Sequence, residues 1–70
     1  MNKLQLILIK KDDPVKQYTI DIMHDEPLSN IVNKLNTYRS PDKQISELYN
    51  QYNQVIPLNY KLKRNMTFYF

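Results

Sequence analysis

The sequence predicts an α+β domain in which one helix packs across one face of a sheet, with the element order ββαβ(β)β. Three patterns predict it: an opening pair of strand-like segments, one helical apolar stripe, and short strand-like segments that continue to the last residue. A single apolar stripe covers only one face of a sheet, so the other face stays open. Because the chain has only 70 residues, we expect residues 1–70 to form a single domain.

Two strand patterns near the N-terminus predict a hairpin. Residues 4–9 are a short apolar run, followed after two lysines by Asp12, Asp13 and Pro14, which favour a turn. Residues 18–22 alternate apolar and polar side chains, which is typical of a half-buried strand. Proline cannot donate to a strand ladder, so Pro14 is expected in the connecting loop.

One helix is predicted between residues 27 and 38. Acidic residues favour the positive end of a helix dipole and proline is best tolerated at the first helical position, so Asp25, Glu26 and Pro27 mark its start. The residue before Pro41 avoids the helical region, which ends the helix. Apolar side chains recur at i, i+3, i+4 and i+7: Leu28, Ile31, Val32 and Leu35. On or near the polar side are three asparagines: Asn30, Asn33 and Asn36.

The remainder of the chain predicts three short strands. Residues 45–49 form the first of them, and a polar turn follows at residues 50–54. Residues 55–58 are a very short strand, which Pro57 limits to a sheet edge. Residues 67–70 form the last strand.

The predicted core combines the helix stripe with the strand residues that face it. A domain of this size buries only about 60% of the surface that its unfolded chain exposes, so each central member contributes a large part of the stability. The members are Leu4, Leu6, Leu8, Ile20, Ile22, Leu28, Ile31, Leu35, Leu62, Phe68 and Phe70.

Two stretches resemble the ubiquitin-like (β-grasp) superfamily. Residues 18–22 are separated by five residues from the helix stripe, which is similar to the second-strand-to-helix spacing of the superfamily. Residues 60–70 are similar to its closing segment, with a Tyr-x-apolar turn, a polar loop, and a last strand in which a threonine precedes alternating apolar residues. One departure is that the stretch between Ile45 and Tyr60 is shorter than in ubiquitin.

The resemblance implies that the first and last strands lie parallel at the sheet centre and that partners bind the open sheet face. It also implies a non-conjugated member, because conjugated members end in a Gly-Gly tail, whereas this sequence has no glycine and ends at Phe70. An end inside the last strand predicts the N-terminal domain of a larger scaffold or cytoskeletal protein. The alternative is a stand-alone, non-conjugated member of the kind that acts in splicing.

The open face of the predicted sheet carries an apolar patch. Where alternate residues face the helix, Ile7, Ile9 and Tyr69 face the other way and Lys10 lies at the rim. Tyr49, with Glu47 as the alternative, joins from the third strand. A contiguous apolar patch with a polar rim is typical of a protein-binding surface. We therefore expect these five residues to bind a protein partner. Two alternatives stay open: self-association through this face, and a strand that is apolar only because it is central.

A small basic cluster is formed by Lys61, Lys63 and Arg64, with Lys43 expected nearby. Such a cluster suits an acidic partner or a phosphate group, but a solvated loop explains it equally well. The net charge of +3 is mild, and no aromatic-rich RNA-binding run is present, so the sequence disfavours a nucleic-acid partner.

The composition argues against several other functions. The chain has no cysteine and a single histidine, His24, so we expect no metal site and no cofactor. His24 lies beside two acids, but no nucleophile signature and no glycine-rich phosphate loop accompany it, so we expect a non-catalytic protein. No apolar run approaches the roughly 20 residues of a membrane span, and no signal-peptide core is present. We therefore expect an intracellular location, cytoplasmic or nuclear.

Overall fold

One sheet and one α-helix account for the regular structure of residues 3–70, the part of the chain that the computed structural model describes. A short 3-10 helix, Pro41–Lys43, follows the α-helix. The elements are β1 (Lys3–Ile9), β2 (Gln17–Met23), α1 (Leu28–Thr37), β3 (Leu48–Tyr49), β4 (Val55–Ile56) and β5 (Met66–Tyr69).

The sheet has the strand order β2-β1-β5-β3-β4 and is mixed. Strands β1 and β5 are parallel neighbours in its interior, and the other three pairs are antiparallel. The predicted α+β class, with one helix and a mixed sheet, is confirmed, and the arrangement is consistent with a β-grasp-like fold. The parallel pairing of the first and last strands also agrees with the prediction.

Alternation along β1 separates the two faces of the sheet. Leu6 and Leu8 are fully buried, whereas Gln5 is exposed and Ile7 and Ile9 are half-buried. Partners that lie directly opposite each other in a ladder point to the same face. The helix-facing residues of β1 lie opposite Ile22, Ile20 and Tyr18 of β2, and Phe68 of β5 lies opposite Leu8.

The helix begins at Leu28, one residue later than predicted, because Pro27 has an extended backbone and occupies the N-cap position. The first amide groups of a helix have no partner within the helix. Here they donate to main-chain carbonyls of the segment before β5, from Leu28 to Tyr60 at 3.0 Å and from Ser29 to Leu58 at 2.8 Å. The helix start is therefore held by distant backbone, and the predicted role of proline as the first helical residue is wrong.

Glu26 was expected to place its charge in the first turn of the helix, but it lies before that turn. Its carboxylate instead accepts hydrogen bonds from the Met23 main-chain N–H at 3.2 Å and from the Asn30 side-chain amide at 3.4 Å. It therefore joins the end of β2 to the helix. The helix ends at Thr37, and Tyr38 is its exposed C-cap.

The core agrees closely with the predicted set. Seven of the predicted members are buried, and the other four (Leu4, Ile20, Leu35 and Phe70) are half-buried and pack against it. Val32, Ile45 and Leu48 are also buried, although they were not in the predicted set. The ten buried residues are Leu6, Leu8, Ile22, Leu28, Ile31, Val32, Ile45, Leu48, Leu62 and Phe68.

Ile45 enters the core without belonging to a strand, because β3 spans only Leu48–Tyr49 rather than residues 45–49. The side chain of Asn36 supplies the partners that a strand neighbour would supply. Asn36 Nδ2 donates to the Ile45 carbonyl at 2.8 Å, and the Ile45 N–H donates to Asn36 Oδ1 at 2.7 Å. Asn36 is therefore a half-buried structural residue and not part of a polar surface.

The predicted polar turn at residues 50–54 is confirmed. Asn50 Oδ1 accepts from the N–H groups of Tyr52 and Gln54, at 2.9 and 3.0 Å. Asn53 has a φ of 61°, in the left-handed region that asparagine tolerates better than most residues. Strand β4 spans only two residues and ends directly before Pro57, which cannot continue the ladder.

Candidate functional site

The open face of the sheet brings together the apolar residues that the sequence analysis proposed. Ile9 of β1 lies opposite Tyr69 of β5, and Tyr69 lies opposite Tyr49 of β3. Ile7 lies two residues before Ile9 and opposite Thr67, on the same face. Ile7, Ile9, Tyr49 and Tyr69 are all half-buried, so the patch is continuous across three neighbouring strands and still accessible.

A groove of about 460 Å³ adjoins this patch where β1 and β5 end. Ile9 and Tyr69 contribute its apolar lining. Its polar lining comes from the β1–β2 connection and from the turn between β3 and β4, and includes Lys10, Lys11 and Asn53. The groove therefore combines an apolar floor with polar groups from two loops, a combination that is typical of binding pockets.

Lys11 holds the two loops together across the groove. Its ammonium group lies 3.6 Å from the centroid of the Tyr49 ring and donates to Asn53 Oδ1 at 2.9 Å. Its main-chain N–H donates to the Phe70 carbonyl at 2.8 Å. Attraction of a cation to the face of an aromatic ring contributes about 0.5–1 kcal/mol at an exposed site. Lys11 therefore orders one wall of the groove and leaves it positively charged.

Lys10 lies at the same rim and forms the only ion pair found within residues 3–70. Its Nζ is 3.6 Å from Asp12 Oδ2, and the Asp12 side chain is almost fully exposed. Exposed pairs of this kind contribute little to stability. Asp12 also lies in the turn predicted from Asp12, Asp13 and Pro14, where the Asp13 N–H donates to the Lys10 carbonyl at 3.2 Å.

Tyr49 has a perturbed phenol. Partial burial, the negative charge of Glu47 and the hydrogen bond from Tyr49 Oη to Glu47 Oε1 at 3.2 Å together raise the pKa of the phenol above its ordinary value. Each of these causes favours the neutral form. Tyr49 therefore presents a neutral hydroxyl group at the edge of the apolar patch.

Replacing Glu47 by glutamine is expected to lower the pKa of Tyr49 towards its ordinary value of about 10. Because folding raises the pKa of Tyr49, this residue stabilises the folded state at any pH below the ordinary pKa of a phenol. That stabilisation is lost as the pH rises through the raised pKa of the folded state. The measurement is an absorbance titration of tyrosinate, with Tyr49→Phe subtracted to isolate this residue. An unchanged pKa in the Glu47→Gln variant would contradict the assigned role of the carboxylate.

The predicted basic cluster lies in the segment before β5, and Arg64 lines a groove together with Thr67, which lies opposite Ile7 on the open face. Lys61, Lys63 and Arg64 are exposed in the segment before β5, and the Lys61 main chain bridges to Pro27 at the start of the helix. Lys43 lies beyond the other end of the helix, where its carbonyl accepts a hydrogen bond from Arg39. The expectation that Lys43 lies near the cluster is therefore wrong.

Neither a metal centre nor a membrane span is evident in the described part of the chain. His24 is exposed in the turn after β2. Within residues 3–70, no three His, Cys, Asp or Glu side chains come together in a way that could hold a metal ion. Helix α1 has ten residues, and no helix in this range is long and apolar enough to cross a membrane.

Several groove residues were not predicted from the sequence. Lys11, Gln17, Asn50 and Asn53 line the groove but come from two loops and the start of β2, far apart along the chain. Only the pairing of β1 with β5 and of β5 with β3 brings these loops to one edge. The turn pattern of residues 50–54 locates one of the two loops but not its neighbour.

The chain matches no family model, no curated protein and no solved structure at a significant level.

Proposed function

We propose that the chain is a ubiquitin-like β-grasp domain that acts as a non-catalytic protein-recognition module through the open face of its sheet. The fold supports the first part, since a hairpin, one crossing helix and a parallel pairing of the first and last strands occur in that order. The role of the open face in protein recognition is supported by one observation: Ile9, Tyr69 and Tyr49 form a continuous row across three strands.

The chemistry of the face defines the kind of partner. An apolar strip beside a groove of about 460 Å³ suits a segment that inserts one apolar side chain. Lys10 and Lys11 at the rim suit acidic residues next to that side chain. The proposed partner is therefore a protein segment with an apolar anchor flanked by acidic residues, and the domain contributes this binding to a larger scaffold or cytoskeletal protein.

Placing a photo-crosslinking amino acid at position 69 tests which surface meets the partner. The matched control is the same amino acid at position 33, because Asn33 is exposed on the helix, which packs on the other face of the sheet. We expect a crosslinked partner from position 69 and none from position 33, on exposure to lysate of the source cells. Equal yields from both positions would contradict the proposal.

Ile9→Asp is expected to weaken binding of the partner so identified by roughly 30-fold, because a buried anchor contributes about 2 kcal/mol or more. The control is Asn33→Asp, which adds the same charge at an exposed position of the helix, on the other side of the sheet. Circular dichroism establishes that both variants are folded, and calorimetry gives the affinities. An affinity that falls equally in both variants would indicate a general charge effect instead of a binding face.

Self-association is a second candidate, and the position of β2 favours it. This seven-residue strand is an edge of the sheet and pairs with β1 on one side only. An edge strand of this length can add a strand from a second copy. Sedimentation at increasing concentration distinguishes the candidates, because the mass of a self-associating chain would rise towards twice the chain mass, whereas that of a monomeric recognition module would not change.

A further inference from the structure

A second groove, of about 470 Å³, lies beyond the C-terminal end of the helix and carries an unusual concentration of positive charge. Four cationic side chains line it: Lys10, Lys16, Arg39 and Lys43. No aspartate or glutamate is among its lining residues. The groove lies on the helix side of the sheet, since Tyr18 in its wall lies opposite the buried Leu8. It is therefore separate from the open face, although Lys10 borders both.

Arg39 is the central residue of this groove and has a fixed position. Its Nε donates to the Lys43 carbonyl at 2.6 Å, and Nη1 donates to the Tyr18 hydroxyl at 3.4 Å. Its guanidinium carbon lies 5.3 Å from the centroid of the Phe70 ring, which stacks on Tyr18 at 6.0 Å. These contacts use two of the five N–H donors of the guanidinium group and leave the others free to bind an anion.

The charge of Arg39 is not balanced by a carboxylate. The one ion pair within residues 3–70 joins Lys10 to Asp12, so Arg39 is half-buried with neutral and aromatic contacts only. The C-terminal end of a helix carries a partial negative charge of about half an electron, which favours one nearby cation. The groove still holds three cations that have no ion-pair partner within residues 3–70, Lys16, Arg39 and Lys43, and the repulsion between them is relieved when an anion binds.

We propose that this groove is a binding site for a phosphate monoester, with the Arg39 guanidinium as the oriented donor and Lys10, Lys16 and Lys43 as surrounding charges. A planar guanidinium matches two phosphate oxygens, and lysine ammonium groups act as point charges around them. Tyr38, which is 90% exposed, provides an aromatic wall against which the group that carries the phosphate can pack. The proposal does not depend on the protein-binding role of the open face.

The test is a nitrogen–proton correlation NMR titration of the whole chain with three probes: inorganic phosphate, phosphotyrosine and adenosine monophosphate. We expect saturable shifts at the Arg39 side chain and at the amides of Tyr18 and Lys43 with at least one probe. The probe that binds most tightly indicates the source of the phosphate. The absence of saturable shifts with all three probes would overturn the proposal.

Three variants make the test specific. Arg39→Gln is expected to weaken binding at least about tenfold, since charge-assisted hydrogen bonds are the strong ones. Lys16→Gln, at an exposed position, is expected to weaken binding severalfold and covers the case in which Arg39→Gln does not fold. The matched control is Lys63→Gln, which removes the same charge from the segment before β5 and is expected to leave the affinity unchanged. If Lys16→Gln and Lys63→Gln weakened binding of the probe equally, the probe would be attracted by the net charge of the protein alone. That result would overturn the proposed site.

Discussion

Replacing Phe68 by alanine is expected to lower the free energy of unfolding by about 3–5 kcal/mol. Phe68 is 1% exposed, lies opposite Leu8 in the ladder between β5 and β1, and packs edge-on against the Tyr60 ring with centroids 6.3 Å apart. Removing the ring leaves a cavity at the centre of the core. The total stability of a domain of this length is about 4–10 kcal/mol, so the substitution removes a large part of it.

Urea denaturation followed by circular dichroism measures this loss. The matched control is Tyr52→Ala, which removes an aromatic ring of similar size from a side chain that is 73% exposed. That variant should stay within about 0.5 kcal/mol of the parent chain. A loss below about 1 kcal/mol for Phe68→Ala would contradict the position of β5 at the centre of the sheet, because only that position buries the ring.

Replacing Asn36 by alanine is expected to lower the free energy of unfolding by about 1–3 kcal/mol. The substitution removes both partners of the Ile45 peptide groups, which lie in a partly buried segment that has no strand neighbour. Alanine favours helix formation more than asparagine does, and this offsets a few tenths of a kcal/mol of the stability lost with the hydrogen bonds. Thermal or chemical denaturation gives the value.

Two further variants separate the role of Asn36 from a general helix effect. Asn33→Ala changes the same residue type at an exposed helix position and is expected to be neutral or slightly stabilising. Asn36→Asp keeps an acceptor for the Ile45 N–H but places a carboxylate against the Ile45 carbonyl, so it should also destabilise the domain. Equal stability of Asn36→Ala and Asn33→Ala would show that the contact with Ile45 contributes nothing.

The contrast between Phe68 and Asn36 illustrates how much of the fold could be predicted. Phe68 belongs to an alternating pattern in a short apolar segment, and such periodicity indicates burial without knowledge of any partner. Asn36 lies eight residues after Leu28, at the edge of the helix stripe, which indicates partial burial but identifies no partner. Its partner is Ile45, nine residues further on, and no periodicity encodes that contact.

The two grooves show the same contrast at the level of function. Ile7, Ile9 and Tyr69 were proposed for the open face because alternation places them opposite the buried residues of the same strands. Arg39, Lys16 and Lys10 were not grouped, because they come from the helix end, the start of β2 and the end of β1. Their convergence depends on the packing of the helix end against the edge of the sheet.

The sequence by itself determined the α+β class, the helix stripe, most of the core and the outward direction of the apolar patch, because these depend on side-chain periodicity within single segments. The tertiary structure decided the capping of the helix by the Tyr60 and Leu58 carbonyls, the anchoring of Ile45 by Asn36, and the two grooves. Each of these features joins segments distant in sequence. Such contacts arise from chain closure around the core, where unsatisfied backbone groups and charges take whichever partner the packing brings within reach.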